Sequence, residues 1–320
     1  MIEEQEIGGR PCRLFGSERP ACLLVQPSAR HETATLEAEA VQIAALSPSP
    51  FVLAAFEVED WIVDLVLWAD GNISCEAVKS IPNFNPHYAI MYVHGGGYMS
   101  GGLDYAGILA SKLARATGFT TFSFDYRLAP EHVYPAAIED GTEIWNYLTG
   151  GLYSASHLLL AGDSAGGNLA LCLTQKLLAE GKKPPRELIL FSPWTDMTGE
   201  SDSVLANEQV DPILSKEFVK SAASAYISGA GDPADPRFSP LFGNFEGFPS
   251  TYIMVGKNEI LFDDSARLRE KIACAGGKAF LDIEEKGWHV YQQFPVRIAS
   301  QAFKRLSTHI RREMIGDIKK

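Results

Sequence analysis

The period of hydrophobic positions changes along the chain. Residues 31–46, HETATLEAEAVQIAAL, put Leu36, Ala40, Ile43 and Ala44 at helical spacing, which predicts an amphipathic helix. The Ser-Pro-Ser-Pro run at 47–50 ends it. Strands are expected near 61–68 and 73–79, joined through the turn-type residues Asp70-Gly71-Asn72. From residue 88 onward, short apolar runs alternate with helical patterns. The runs predict strands at 88–93, 119–124, 156–162, 187–192, 251–256 and 278–285. The intervening patterns predict helices at 108–117 and 135–149, a helix to which 170–180 belongs, and helices near 264–275 and from about 290 to 312. Strands alternating with helices of this length imply crossover units and a mostly parallel sheet, hence an α/β fold.

The interval 194–249 breaks this rhythm. It is rich in Pro, Gly, Ser and Asp, with one helix expected over 215–228, where Phe218, Ala222 and Tyr226 recur every four residues. An insertion between two sheet strands is expected over the functional end of the sheet. Together with the 31–46 helix it forms a small helical cap.

Composition narrows the function classes. The 28 basic and 40 acidic residues give a net charge of −12, and no basic run exceeds two residues, which argues against a nucleic-acid partner. The acidic start Met-Ile-Glu-Glu-Gln-Glu does not read as a signal peptide, and no apolar stretch reaches the ~18 residues of a membrane span. The five cysteines, Cys12, Cys22, Cys75, Cys172 and Cys274, are scattered and odd in number, which reads as ordinary thiols in a reducing compartment. A cytoplasmic protein is the expectation.

Two short motifs carry the chemistry. Gly162-Asp163-Ser164-Ala165-Gly166 matches G-x-S-x-G, the sharp strand-to-helix turn that exposes a nucleophilic serine. His94-Gly95-Gly96-Gly97 is a glycine-rich loop able to offer backbone N–H groups to a developing oxyanion. Each follows an apolar run. A serine hydroxyl needs a base, and seven histidines compete: 31, 87, 94, 132, 157, 289 and 309. His94 lies in the glycine loop and His157 at the wrong end of a strand. His31 and His309 fall on peripheral helices, and His87 precedes a strand. His132 follows the 119–124 strand but fits no motif of a base. His289, in Gly287-Trp288-His289 after the last apolar strand, is the best candidate. The acid that orients it should follow the 251–256 strand, where Glu259, Asp263 and Asp264 compete. Glu259 is nearest the strand end, and the two aspartates are also explained by capping of the next helix.

The chain resembles the hormone-sensitive-lipase-like (family IV) esterases of the α/β-hydrolase superfamily. The resemblance rests on HGGGY (94–98), DYRLAPEHVYPAAIED (125–140), GDSAGGNLA (162–170), SPWTDMT (192–198), DPIL (211–214), SPLFG (239–243) and GWHV (287–290). It implies a mostly parallel eight-stranded sheet flanked by helices, with a small helical cap. It also implies Ser164 as nucleophile, His289 as base, and the N–H groups of Gly95, Gly96 and Ala165 as oxyanion donors. The acid position, three residues after the strand's final glycine, is usually Asp followed by Pro-Leu. This chain has Glu259-Ile260-Leu261 there, a departure that keeps a carboxylate. Tyr98, Asp163, Trp194 and Trp288 are candidates for the substrate pocket. Arg127, Glu131, Asp140 and Asp196 read as loop braces.

The expected organisation is an N-terminal segment, 1–50, contributing to the cap, then a catalytic core in two parts, 51–193 and 250–320, with 194–249 as the cap insertion. The resemblance implies a carboxylic ester hydrolase for short- to medium-chain acyl esters. An amidase, formamidase or deacetylase on the same triad is the alternative, and a non-catalytic ligand binder is disfavoured because both Ser164 and His289 are kept. No cofactor or metal is expected. The expected partner is a small ester, with a second copy of the chain as a further candidate because the 278–285 strand is a dimerisation edge in related proteins.

Overall fold

The computed structural model describes residues 87–318 continuously, with side chains through Met314, and the backbone of the strands between residues 2 and 80. The helix expected at 31–46 lies outside the described residues. Among the described residues, the first six strands are β1 (Ile2–Ile7), β2 (Arg10–Ser17), β3 (Arg19–Val25), β4 (Phe51–Val58), β5 (Trp61–Leu67) and β6 (Ser74–Ser80). They are followed by β7 (Ala89–Val93), β8 (Thr120–Phe124), β9 (Leu158–Asp163), β10 (Glu187–Phe191), β11 (Ser250–Gly256) and β12 (Ala279–Glu284). All pair into one sheet in the order β1-β2-β3-β4-β5-β6-β8-β7-β9-β10-β11-β12.

β7 to β12 run parallel to their neighbours, whereas β6 joins β8 antiparallel. The sheet is therefore longer than the eight strands expected. Its parallel run, β7 to β12, has six strands, and the four beyond expectation are β1–β4, whose sequences carry no clean two-residue alternation.

β7 to β11 are buried on both faces, so their sequences read as largely apolar runs, while β12 at the edge is only partly buried. Along β7, Ile90 and Tyr92 face one layer while Ala89, Met91 and Val93 face the other. The first layer holds helices α1 (Leu103–Thr117) and, at the chain's end, α7 (Arg297–Ile318). Leu109 and Leu113 of α1 meet Leu306 and Ile310 of α7 there. The second layer holds α2 (Ala136–Tyr147), α3 (Ala165–Ala179) and α6 (Phe262–Cys274), through Ile144, Leu169, Leu173 and Leu268. Each fully buried Leu or Ile contributes roughly 1.5–3 kcal/mol.

Two helices start elsewhere than their patterns predict. α1 begins at Leu103 rather than 108, and its first turn is tied down by Tyr105, whose hydroxyl donates to Asp163 at 2.7 Å. α7 begins at Arg297 rather than near 290. A short 3₁₀ turn, Tyr291–Gln293, and Pro295 intervene. Between β10 and β11 lie α4 (Asp202–Ala206), α5 (Lys216–Ile227) and the 3₁₀ turn Pro240–Phe242. Ser215 caps α5 by accepting from the N–H of Phe218.

Candidate active site

The parallel strands end together, and the loops after β7, β9, β10, β11 and β12 converge. At the end of β9, Ser164 has φ 52° and ψ −119°, an uncommon conformation for a residue with a side chain. The flanking glycines make that turn feasible. A Cβ on Gly162 would lie 2.4 Å from the carbonyl oxygen of Gly166, and one on Gly166 would lie 2.1 Å from that of Val93. The turn is braced by Ser164 N–H donating to the Phe191 carbonyl and by Trp194 N–H donating to that of Ser164, both at 3.0 Å. The helix α3 starts at once, so its N-terminal N–H groups and dipole favour negative charge beside Ser164.

Ser164, His289 and Glu259 meet in a buried chain. His289 Nε2 lies 3.0 Å from Ser164 Oγ, and Nδ1 lies 3.3 Å from Glu259 Oε1. With the proton on Nδ1, the imidazole donates to Glu259 and its Nε2 accepts from the serine hydroxyl. The second oxygen of Glu259 accepts from the Gly256 N–H and from Ser192 Oγ, each at 2.8 Å. The competing carboxylates are committed elsewhere. Asp263 accepts from the N–H of Ser203, and Asp264 from those of Thr195 and Asp196. Burial pushes the Asp264 carboxyl up to about 7.

The other described histidines have separate surroundings. His94 stacks on Tyr126 with ring centroids 4.2 Å apart, and burial lowers its pKa. His309 contacts Glu187 at 2.5 Å at the opposite ends of the strands. His157 packs beside Tyr88.

The glycine loop departs from expectation at one residue. Gly95 N–H donates to Asp163 Oδ1 at 2.8 Å, so it is turned into the core and does not serve as an oxyanion donor. A Cβ on Gly95 would fall 2.3 Å from Asp163 Oδ2. Among the described residues, no group accepts from the N–H groups of Gly96, Gly97 or Ala165. Gly97 was not singled out from sequence as a donor, but among the described residues its N–H stands unclaimed like those of Gly96 and Ala165.

Asp163 was expected at the pocket, but it is fully enclosed and accepts from Tyr92 OH, Tyr105 OH (2.7 Å) and Gly95 N–H. Burial raises its pKa, and the two tyrosine hydroxyls counter that rise. Tyr98 is likewise packed in protein, donating to Asn168 Oδ1 at 2.7 Å and stacking on Tyr226 of α5 at 3.7 Å. Trp194 is 2% exposed and donates from Nε1 to the Asp196 carbonyl. Trp288 is half-buried against Phe294. Arg127 binds both oxygens of Asp140, and Asp196 pairs with Arg267 at 2.7 Å, as expected of loop braces.

Ser192 is the residue that sequence reasoning passed over. It lies inside the quoted SPWTDMT motif, but nothing in that text marks its hydroxyl as touching the acid. Among the described residues, no group of three or more His, Cys, Asp and Glu side chains is placed to hold a metal ion. No described helix is long and apolar enough to cross a membrane.

Residues 90–293 match a family model described as the alpha/beta hydrolase fold. An esterase of Acinetobacter venetianus is 37% identical over 205 residues, covering 64% of this chain and 68% of that protein. An acetyl-hydrolase of Streptomyces hygroscopicus is 31% identical over 224 residues, covering 70% and 74%. Among solved structures, an esterase from the bacterial hormone-sensitive lipase family superposes with a TM-score of 0.75 at 30% identity, covering 89% of this chain and 93% of that one. An esterase crystal soaked with p-nitrophenyl butyrate gives a TM-score of 0.75 at 32% identity, covering 90% and 93%. The chain thus belongs to the α/β-hydrolase family, in its hormone-sensitive-lipase-like branch of esterases.

Proposed function

We propose that this esterase hydrolyses short- to medium-chain carboxylic esters through Ser164, His289 and Glu259. The observation that carries the reading is the continuous hydrogen-bonded chain from Ser164 Oγ through His289 to Glu259, at a turn with positive φ. His289 takes the Ser164 proton as Oγ bonds to the ester carbonyl carbon. The resulting oxyanion is held by the N–H groups of Gly96, Gly97 and Ala165. Loss of one such donor typically costs about 2.7–4 kcal/mol of transition-state stabilisation. His289 then protonates the departing alkoxide, and the acyl group stays on Ser164. A water molecule, losing its proton to His289, attacks the acyl-serine; the bond from the acyl carbon to Ser164 Oγ breaks, Oγ takes that proton back from His289, and the carboxylic acid is released. Glu259 holds the tautomer and balances the imidazolium while staying ionised.

The acyl range is supported by the names of the similar proteins, an acetyl-hydrolase and an esterase soaked with a butyrate ester. The 194–249 stretch is assigned as the cap insertion between the two parts of the core, 51–193 and 250–320. Its helix α5 bears on the glycine loop: a Cβ on Gly97 would meet Ala222 Cβ and Phe218 Cζ, each at 3.3 Å. Initial rates on p-nitrophenyl esters from acetate to palmitate, for wild type and Ser164→Ala, test the proposal. A maximum at short or medium chains that disappears in the variant is expected. Turnover that survives in folded Ser164→Ala refutes it.

A further inference from the structure

We infer that Ser192 is a positioning residue that locks the acid and base loops into one geometry, an inference resting on the assignment of Glu259 and His289 above. Ser192 directly follows β10, which pairs with β9 on one side and β11 on the other. It therefore lies between the strand that presents Ser164 and the strand that leads to Glu259. It is fully buried, and its φ of 46° is in the left-handed region that side chains rarely adopt. Its backbone N–H donates to the Met254 carbonyl of β11 at 2.8 Å, which fixes where the side chain emerges.

The hydroxyl makes two contacts that belong to different loops. It donates to Glu259 Oε2 at 2.8 Å and accepts from the Val290 N–H at 3.1 Å. Val290 is the residue after His289 and also has positive φ, 49°. Two non-glycine residues in an unfavourable conformation thus meet at one hydrogen bond. Such strain persists where surrounding contacts over-determine it, and it concentrates at functional sites.

The departure at the acid position makes this pin useful. Glutamate carries one more rotatable bond than aspartate, so its carboxylate has more ways to miss the imidazole. Ser192 Oγ and the Gly256 N–H together hold Oε2, which leaves Oε1 for His289 Nδ1. Rotation of the carboxylate away from His289 breaks both bonds. The same hydroxyl, through Val290, limits drift of the histidine loop. A serine that merely filled core space would need a hydrogen-bond partner, but that partner need not be the triad carboxylate.

A double-mutant cycle on p-nitrophenyl butyrate decides between these roles, using S192G, S192A, E259Q and S192G/E259Q. Glycine accepts φ 46° without strain, so S192G removes the hydroxyl while leaving the turn feasible. S192A removes the hydroxyl and keeps the strain, and it carries the cycle should S192G fail to fold. Thermal melts establish folding of each variant. A hydrogen bond to a charged group is worth enough that S192G and S192A should each lower kcat roughly tenfold to a hundredfold, with KM within about twofold. E259Q alone should lower kcat by roughly 10³–10⁴-fold. In that background S192G should cost at least about threefold less than in the wild type, because the carboxylate it positions has gone and only the contact to the Val290 N–H is left to lose.

Equal losses from S192G in both backgrounds would overturn the inference, as would wild-type kcat in folded S192G. A loss in S192A but not in S192G would assign the effect to backbone strain and likewise overturn it. Near-wild-type turnover in E259Q would refute the assignment of the acid itself. That failure appears in the single variant, separately from the coupling.

Discussion

Asp163 offers the most direct test of how the glycine loop is held. Its carboxylate has no solvent exposure and collects three donors: Tyr92 OH, Gly95 N–H and Tyr105 OH. Asp163→Ala leaves Tyr92 OH and Gly95 N–H buried without an acceptor, at about 1–3 kcal/mol each. Tyr105 is half-buried, so water recovers part of its loss. Removing a carboxylate whose ionisation burial disfavours returns part of the sum. The net expectation is a loss of about 2–5 kcal/mol. Asp163→Asn should be milder. The new amide oxygen can face Tyr92 OH and Gly95 N–H, while its NH₂ donates to a rotated Tyr105 hydroxyl. The bonds to this amide would be neutral rather than charge-assisted, costing about 1 kcal/mol in all. Urea unfolding at about pH 7, followed by circular dichroism and tryptophan fluorescence, should rank wild type first, Asp163→Asn second and Asp163→Ala last. Turnover adds a second measure, since Gly95 anchors the loop whose next two N–H groups are the proposed oxyanion donors. The alanine variant should lose at least about tenfold in kcat, bounded by the roughly 10²–10³-fold that loss of a whole donor produces. Equal stability of the two variants, within about 0.5 kcal/mol, would refute the account of the network. Wild-type kcat in folded Asp163→Ala would refute its link to the oxyanion.

Two further outcomes follow from the geometry. Gly166→Ala puts a Cβ 2.1 Å from the Val93 carbonyl oxygen, against backbone on a central strand; the variant should lose several kcal/mol of stability by the overpacking mechanism and most of its esterase rate, measured by urea unfolding and p-nitrophenyl butyrate turnover. Asp264 titrates at about 7 in the folded protein against 3.8 for the free carboxyl, because burial disfavours its charge. The folded state therefore holds this proton more tightly, and the group's penalty is absent below about pH 4, grows through the interval to about 7, and is complete above it, at up to about 4 kcal/mol. Asp264→Asn should gain stability relative to wild type between about pH 4 and 8; a wild-type-to-variant difference that does not change with pH would contradict the assignment.

The parts of this site that were legible in the sequence are those decided by neighbours in the chain. A sharp turn from strand to helix leaves no space for a Cβ at Gly162 or Gly166, so the elbow announces itself in five residues. The two-faced burial of β7 to β11 writes continuous apolar runs, and these located every parallel strand to within a few positions. What was illegible depends on partners far along the chain. Three consecutive glycines are identical as text, yet Gly95 turns inward because an acceptor waits on Asp163, 68 positions later. The first turn of α1 looked like loop because its reason for order includes the bond from Tyr105 to that same carboxylate, 58 positions away. The three carboxylates after β11 differ little by position. What separates them is what else each one binds: Ser203 for Asp263, Thr195 and Asp196 for Asp264, and His289 for Glu259. Ser192 belongs to the same class, a plain serine in the text that becomes informative only once β10 is known to lie between β9 and β11. The location of the chemistry is thus a local property of this chain. The assignment of individual atoms to that chemistry is a property of strand order, because strand order decides which hydroxyl, N–H and carboxylate come within about 3 Å of one another.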